Sequence, residues 1–221
     1  MKSIIPLTSA VLGTAAIGIY LYHETLRSRL ITKSQHGHLP RSLATHITTA
    51  PESVFTAQTT AVYDSASTAV PRAQLPNLST HDLLTRFLQR NMSRFARLPQ
   101  AYILRAMSTA AEKPGFDAAR IQALEFREGD SVCGAYRVVL RTAERVEFAL
   151  KPMGVIQGRL VVSLTEDGDG RVVFMNETLM WRPVGEKVVM PLETGVGRWV
   201  HELTAWWMLD SGVRYLMGLK E

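Results

Sequence analysis

The feature that most restricts the fold of this chain is a change of hydrophobic period after Arg120. Five short runs rich in β-branched and aromatic residues follow it: IQALEF, GAYRVVLR, RVEFALK, GRLVVSL and RVVFMNETLMW. Short turn segments separate these runs, the clearest being EDGDG at 166–170, as in an antiparallel meander. Helical spacing returns only in the closing run, Gly195–Leu219. The order predicts an α+β chain with a curved antiparallel sheet followed by a long C-terminal helix.

The closing run is apolar enough to suggest a membrane span as well as a packed helix. Its apolar part contains Asp210 and Arg214, and a charged side chain is costly at the centre of a bilayer. Four residues apart on a helix, these two side chains can form an ion pair on its surface. The pattern favours a helix packed on the sheet over a membrane span or a packed helix that also touches a membrane.

The first segment of the chain has a different character. No charged residue interrupts Ile4–Tyr22, and a helix of that length extends about 28 Å, close to the roughly 30 Å hydrocarbon core of a bilayer. We therefore predict a transmembrane anchor at residues 1–22. A cleaved signal peptide and an organellar presequence are the two alternatives.

The residues after this segment set the expected orientation. Arg27, Arg29, Lys33 and Arg41 follow it, and positive charge marks the cytoplasmic side of a span. This predicts a single-pass membrane protein with a cytosolic C-terminal domain, in a membrane such as the endoplasmic reticulum or the outer mitochondrial membrane. Residues 23–44 are expected to form a tether, and residues 45–221 the folded domain.

A basic amphipathic helix is predicted over residues 79–98, within that domain. Ser79 precedes Asp82 by three residues, which is an N-terminal capping pattern. Four arginines recur at helical spacing and share one face of this helix: Arg86, Arg90, Arg94 and Arg97. They form either a solvated face or a stripe that lies on anionic membrane lipid.

Composition excludes several classes of function. The net charge of +5 favours anionic partners such as a phospholipid surface, but no block of consecutive Lys or Arg indicates nucleic-acid binding. The single cysteine, Cys133, allows no intrachain disulfide and is expected to be structural. The histidines are scattered, with His36 and His38 in the predicted tether, and no metal or cofactor motif is present. We expect neither metal nor cofactor.

Several segments resemble the SRPBCC superfamily of START-like, helix-grip proteins. They are ITTAPESVF at 47–55, FREGDSVCGAYRVV, GRLVVSLTEDGDGRVVFMNETLMW and the closing helix. The resemblance implies a sheet that wraps the last helix and leaves a cavity for an apolar ligand. The residues then expected to bind that ligand are Tyr136, Phe148, Met175, Trp181, Trp199, His201 and Trp207.

Glu177 is the candidate catalytic residue. It has the strand parity of Val173, Met175, Leu179 and Trp181, and a carboxyl buried on an apolar face has a raised pKa suited to acid–base chemistry. The alternative is a structural pair with Arg159 across the sheet.

Three functions therefore fit the sequence. The first is a membrane-anchored module that binds or transfers a lipid, sterol or polyketide-like molecule. The second is a cofactor-free cyclase or isomerase acting on such a ligand, in a pathway of secondary metabolism. The third is a scaffold domain that binds no ligand. The sequence leaves open whether the chain is an enzyme.

Overall fold

The computed structural model describes the backbone of residues 5–219 and the side chains of residues 17–219. Its helices are α1 (Ile5–Arg29), α2 (Thr80–Phe95), α3 (Pro99–Ala106), α4 (Ala118–Gln122) and α5 (Gly195–Gly218). Its strands are β1 (Ile31–Gly37), β2 (Thr59–Pro71), β3 (Ser131–Val132), β4 (Tyr136–Arg141), β5 (Arg145–Leu150), β6 (Gln157–Glu166) and β7 (Arg171–Pro183).

The seven strands form one antiparallel sheet in the order β1-β2-β7-β6-β5-β4-β3. Strands β3 to β7 follow one another as neighbours, as expected of a meander with short connections. Strand β2 comes before the helices in sequence but pairs with β7 along its whole length, so that Thr59 lies opposite Pro183 and Pro71 opposite Arg171. The predicted α+β class, antiparallel sheet and long C-terminal helix are confirmed.

The main core fills the space between one face of the sheet and the helices. Phe87 of α2 packs against Phe174 of β7, with ring centroids 5.5 Å apart, and Leu209 of α5 is fully buried in the same cluster. Gly212 allows α5 to approach α2 closely, because a Cβ there would lie 2.6 Å from the Phe87 ring. Helix α2 begins where the sequence predicts, with the Ser79 hydroxyl accepting a hydrogen bond from the Asp82 amide.

A second layer covers the outer face of the sheet, which is the face opposite the helices. Leu39, Ile47 and Val54 of the connection between β1 and β2 are buried there against Leu179 and Trp181 of β7. Because the sheet is covered on both sides, its strands carry apolar residues on both faces.

Helix α1 does not end at Tyr22, where the sequence predicts the end of a membrane anchor. It continues to Arg29, and its last turns pack on α5, where Leu26 is fully buried and the His23 ring stacks 4.7 Å from that of Trp206. Within the described residues, no helix combines the length and the hydropathy needed to cross a membrane. This finding overturns the predicted transmembrane helix, the single-pass topology and the membrane location. The side chains of residues 1–16, on which much of that prediction depends, lie outside the described part.

The predicted tether at residues 23–44 is also replaced by regular structure. It contains the end of α1, the edge strand β1 and a short 3₁₀ turn at Arg41–Leu43. Strand β1 pairs antiparallel with β2, from Ile31 opposite Ser67 to Gly37 opposite Ala61. The Ser- and Thr-rich composition of this region indicated a flexible linker, but β-branched and small residues also suit paired strands.

Candidate functional site

A pocket of about 100 Å³ lies between the edge of the sheet and the start of α5. Strand β1 contributes Ser34 and His36, strand β2 contributes Asp64, and α5 contributes Arg198 and His201 to its lining. The walls therefore come from three elements that are distant in sequence. Only the complete fold brings these polar side chains together.

The centre of this pocket is a carboxylate–imidazole pair. Along β2, Val62, Asp64 and Ala66 share the face that looks toward the helices, and Asp64 is 8% exposed. The Nε2 atom of His201 lies 3.2 Å from Oδ2 of Asp64. A buried carboxylate is costly without a partner, and here the imidazole supplies it. The contact also fixes the orientation of the His201 ring.

Two further contacts of the same type surround the pair. The Nε2 atom of His36 lies 3.1 Å from Oε1 of Glu193, and Arg182 donates to the same oxygen at 3.0 Å. On the other side, Nε2 of His23 lies 3.4 Å from Oε2 of Glu202, which also lines the pocket. These contacts fasten β1 and α1 to the region around the start of α5, and so hold the pocket walls in place.

The chemistry of this pocket is that of hydrogen bonding and proton transfer. A histidine held by a carboxylate can accept or donate a proton at its other ring nitrogen. Pockets for drug-sized ligands have volumes of about 300–1,000 Å³, so this pocket has room only for a small molecule. The pocket is smaller than the cavity that the sequence resemblance implies for a lipid, sterol or polyketide-like ligand.

Glu177 is buried, but on the outer face of the sheet and away from this pocket. The Tyr63 hydroxyl donates a hydrogen bond of 2.7 Å to its Oε1 atom, and Nδ1 of His46 lies 3.1 Å from Oε2. Burial raises the pKa of Glu177, an effect that the Tyr63 and His46 contacts oppose and the nearby Glu147 carboxylate reinforces. The predicted pair with Arg159 does not form, since Arg159 lies opposite Leu179 in the ladder and contacts Thr49 instead.

The residues expected to line one apolar cavity are not brought together. Phe148 and Tyr136 belong to the core between sheet and helices, with ring centroids 6.3 Å apart. Trp181 and Met175 share the strand parity of Glu177, and Trp181 is buried on the outer face. Of the seven, His201 alone is among the residues that line the described pocket; Trp199 and Trp207 lie elsewhere on α5.

The four arginines of the predicted stripe also differ in environment. Arg86, Arg94 and Arg97 are exposed, whereas Arg90 turns toward α5. Its Nη1 atom donates to Asn91 Oδ1 at 2.8 Å and to Ser211 Oγ at 2.9 Å, and its guanidinium lies 5.7 Å from the ring centroid of Trp207. Three members are therefore exposed, and the fourth joins two helices.

This difference predicts unequal effects of two substitutions on α2. Arg90→Ala is expected to lower the free energy of unfolding by about 1–3 kcal/mol, because it removes the hydrogen bonds that the guanidinium donates to the buried Asn91 and the half-buried Ser211. Arg94→Ala, the matched control on the exposed face, is expected to change it by less than about 0.5 kcal/mol. Urea unfolding of both variants tests this, and equal effects would contradict it.

The important pocket residues other than His201 were not identified from the sequence. The sequence places His36 in the predicted tether, and Asp64 lies outside the runs that predict strands. The available signal was a lone acid among small and apolar residues in the segment TTAVYDSASTAV. Such a residue, once the strand is recognised, either faces solvent or needs a partner.

Two other chemistries would be metal binding and nucleophilic attack by a thiol. Among the described residues, no group of three or more His, Cys, Asp and Glu side chains is placed to hold a metal ion. Cys133 is fully buried, and burial raises the pKa of its thiol to about 12. The thiol is therefore protonated at neutral pH and is a poor nucleophile.

Comparison with known proteins identifies no family. No protein-family model matches the chain, and no curated protein is significantly similar to it. Among solved structures, the chain is similar to CalU16 from Micromonospora echinospora, with 13% sequence identity over 86% of this chain and 93% of that chain and a TM-score of 0.33. A likeness of this strength carries no argument about function.

Proposed function

We propose that the chain is a ligand-binding domain of the helix-grip type, and that its ligand is a small, partly polar molecule bound between β2 and α5. The observation that carries this proposal is the Asp64–His201 pair, set in a pocket of about 100 Å³. Its polar groups offer both donors and acceptors to a bound molecule. The apolar share of the lining comes from side chains such as Val62 and Leu192.

The arrangement around Asp64 supports a role beyond folding. Neighbouring positions on the same face of β2, Val62 and Ala66, are apolar and buried. An apolar residue at position 64 would complete that face at lower desolvation cost. Position 64 instead carries an acid, which pairs with His201 of the pocket lining. Convergent polar groups in a pocket are typical of binding sites.

The filled core argues against the large apolar ligand that the sequence resemblance implies. Phe87, Phe148 and Phe174 are each 1% exposed or less and occupy the space between sheet and helices. We therefore propose a ligand that is smaller and more polar than the one the resemblance implies. A scaffold domain would also have a filled core, and the polar pocket is what favours binding over that function.

Blocking the pocket with a large side chain at its edge tests the proposed binding. Ser34→Trp introduces a large side chain at a pocket-lining position of the edge strand β1, where burial of the native side chain is low. Lys33→Trp introduces the same side chain on the opposite face of the same strand and serves as the matched control. Mass spectrometry of extracts from the three purified proteins measures the small molecules they retain.

We expect wild type and Lys33→Trp to retain the same compound and Ser34→Trp to lose it. Circular dichroism and melting temperature confirm that both variants are folded. If all three proteins retain the compound equally, the proposal of ligand binding in this pocket is wrong. It is also wrong if none of the proteins retains a compound at a stoichiometric level.

A second candidate function is cofactor-free acid–base catalysis on the bound molecule, which the carboxylate-held imidazole of His201 favours. His201→Gln keeps a hydrogen-bonding side chain, but the amide of Gln cannot act as a general acid or base. A binding protein should retain its ligand with a modest change in affinity. A general acid–base catalyst should lose about 10²–10⁴-fold in turnover of that compound while still binding it.

A further inference from the structure

A network of charged and hydroxyl groups holds residues 44–50, here called the cover segment, onto the outer face of the sheet. Glu147 of β5 is fully buried beneath it. One carboxylate oxygen accepts hydrogen bonds from the amide and hydroxyl of Thr48 at 3.0 and 3.2 Å. The other accepts from the amide and hydroxyl of Thr49 at 2.9 and 2.6 Å. All four donors belong to the cover segment.

Two arginines complete this attachment. Arg159 of β6 donates to the Thr49 hydroxyl at 2.8 Å and to its carbonyl at 3.1 Å, and its Nε atom lies 4.0 Å from Glu147. Arg145 of β5 donates to the His46 carbonyl at 2.9 Å. Both guanidinium groups thus contact the cover segment or Glu147. Within the described residues, neither forms a hydrogen bond or an ion pair with Glu177.

Glu177 differs from Glu147 in its partners. It is 1% exposed, accepts one hydrogen bond from the Tyr63 hydroxyl and meets the His46 imidazole of the cover segment at 3.1 Å. The His46 side chain is 42% exposed, so it connects the buried carboxyl with solvent. A proton on Glu177 itself removes the charge of this buried carboxylate.

We propose that the cover segment is a proton-sensitive latch, closed when Glu177 is protonated and loosened when Glu177 ionises. The ionised form is a buried carboxylate beside a second one, Glu147. The protonated form removes that charge. The contact between Glu177 and His46 joins the cover segment to the sheet.

The titratable groups that act on Glu177 are Tyr63 of β2, Glu147 of β5 and His46 of the cover segment. Arg145 of β5 and Arg159 of β6 bind the cover segment, and Arg159 also lies near Glu147. Lys33 of β1 lies beyond Ser65 in the same row of the ladder and is exposed. Among the described residues, Glu177 is therefore a buried carboxyl without a guanidinium partner.

The direction of the effect follows from linkage. Burial raises the pKa of Glu177 above its usual value of 4.5, so the closed state holds this proton more tightly than an open state in which water reaches the carboxyl. The stabilisation is fully present below the usual carboxyl pKa and is lost as pH rises through the raised pKa. The latch therefore loosens toward higher pH.

The latch lies directly behind the proposed binding pocket. Tyr63, which donates to Glu177 on the outer face, stands between Val62 and Asp64, which line the pocket on the other face of β2. The Tyr63–Glu177 hydrogen bond therefore joins the latch to the strand that carries Asp64. The latch itself does not depend on the pocket having a ligand.

Hydrogen exchange of the Thr48 and Thr49 amides tests the latch, since both donate to Glu147 only when the cover segment is closed. After correction for the intrinsic pH dependence of exchange, we expect their protection in wild type to fall as pH rises, by up to about tenfold per pH unit for one proton. Glu177→Gln is expected to give high protection with no such dependence. Glu144→Gln, an exposed site in the β4–β5 turn, is the matched control and should behave as wild type.

A second variant keeps the test decisive if Glu177→Gln is poorly folded. His46→Ala removes the contact of Glu177 with the cover segment and should reduce protection of both amides at neutral pH. The reduction should be smaller below the usual carboxyl pKa, where protonation of Glu177 is favoured. Protection in wild type that does not vary with pH, or that varies equally in Glu177→Gln, would overturn the latch. Neither result bears on ligand retention by the pocket, which is measured separately.

Discussion

Glu147→Ala is expected to lower the free energy of unfolding by about 3–5 kcal/mol, the range found when one partner of a buried charged network is removed. The loss is large because the substitution leaves four part-buried donors of Thr48 and Thr49 without an acceptor. It also leaves Arg159 without its nearest carboxylate. Chemical denaturation monitored by circular dichroism measures the effect.

The matched control for this substitution is Glu144→Ala, in the turn between β4 and β5. Glu144 is exposed, so its removal is expected to change stability by less than about 0.5 kcal/mol. A Glu147→Ala variant as stable as this control would show that the second layer does not depend on Glu147 as the structure indicates.

Phe148→Ala is expected to lower the free energy of unfolding by about 3–5 kcal/mol, as large-to-small substitutions in packed cores do. Phe148 is fully buried and makes edge-to-face contacts with Phe126 and Tyr136. The sequence resemblance instead implied that this side chain lines a ligand cavity. A cavity-lining residue could be truncated at a much smaller cost, because its neighbours on one side would be ligand or solvent.

Tyr102→Ala is the control for the loss of an aromatic side chain. Tyr102 is 60% exposed, and we expect its removal to change stability by less than about 0.5 kcal/mol. If Phe148→Ala costs no more than Tyr102→Ala, the core between sheet and helices is not filled as described, and a large apolar ligand becomes the better proposal.

The alternation of residues along the strands was sufficient to predict the sheet and its inner face. In RVEFALK, strand alternation predicts that Val146 and Phe148 share one face, and both are fully buried in the core beneath the helices. The same alternation put Glu147 on the opposite face, where it would ordinarily meet water. Nothing local in the sequence indicated the cover segment, because its contacts join residues about one hundred positions apart.

The site was harder to predict than the sheet, for the same physical reason. Asp64 and His201 are 137 residues apart, and neither belongs to a motif whose spacing implies a pocket. Glu177 was recognised as a buried acid with a raised pKa, but strand parity alone could not tell which of two covered faces it occupies. The N-terminal apolar run was interpreted as a span because hydropathy does not report the packing of His23 and Leu26 on α5.

The central claim is that a small molecule binds beside Asp64 and His201, and side-chain NMR of the histidines tests it most directly. The chain has six histidines, of which His36 and His201 line the pocket, whereas His46 lies on the outer face beside Glu177. The measurement compares ¹⁵N-histidine spectra of the chain with and without the small molecules extracted from the purified protein. Binding in the pocket is expected to shift the His36 and His201 resonances and to leave those of His46 and His81 unchanged. Shifts confined to His46 or His81, or no shift at any histidine, would contradict it.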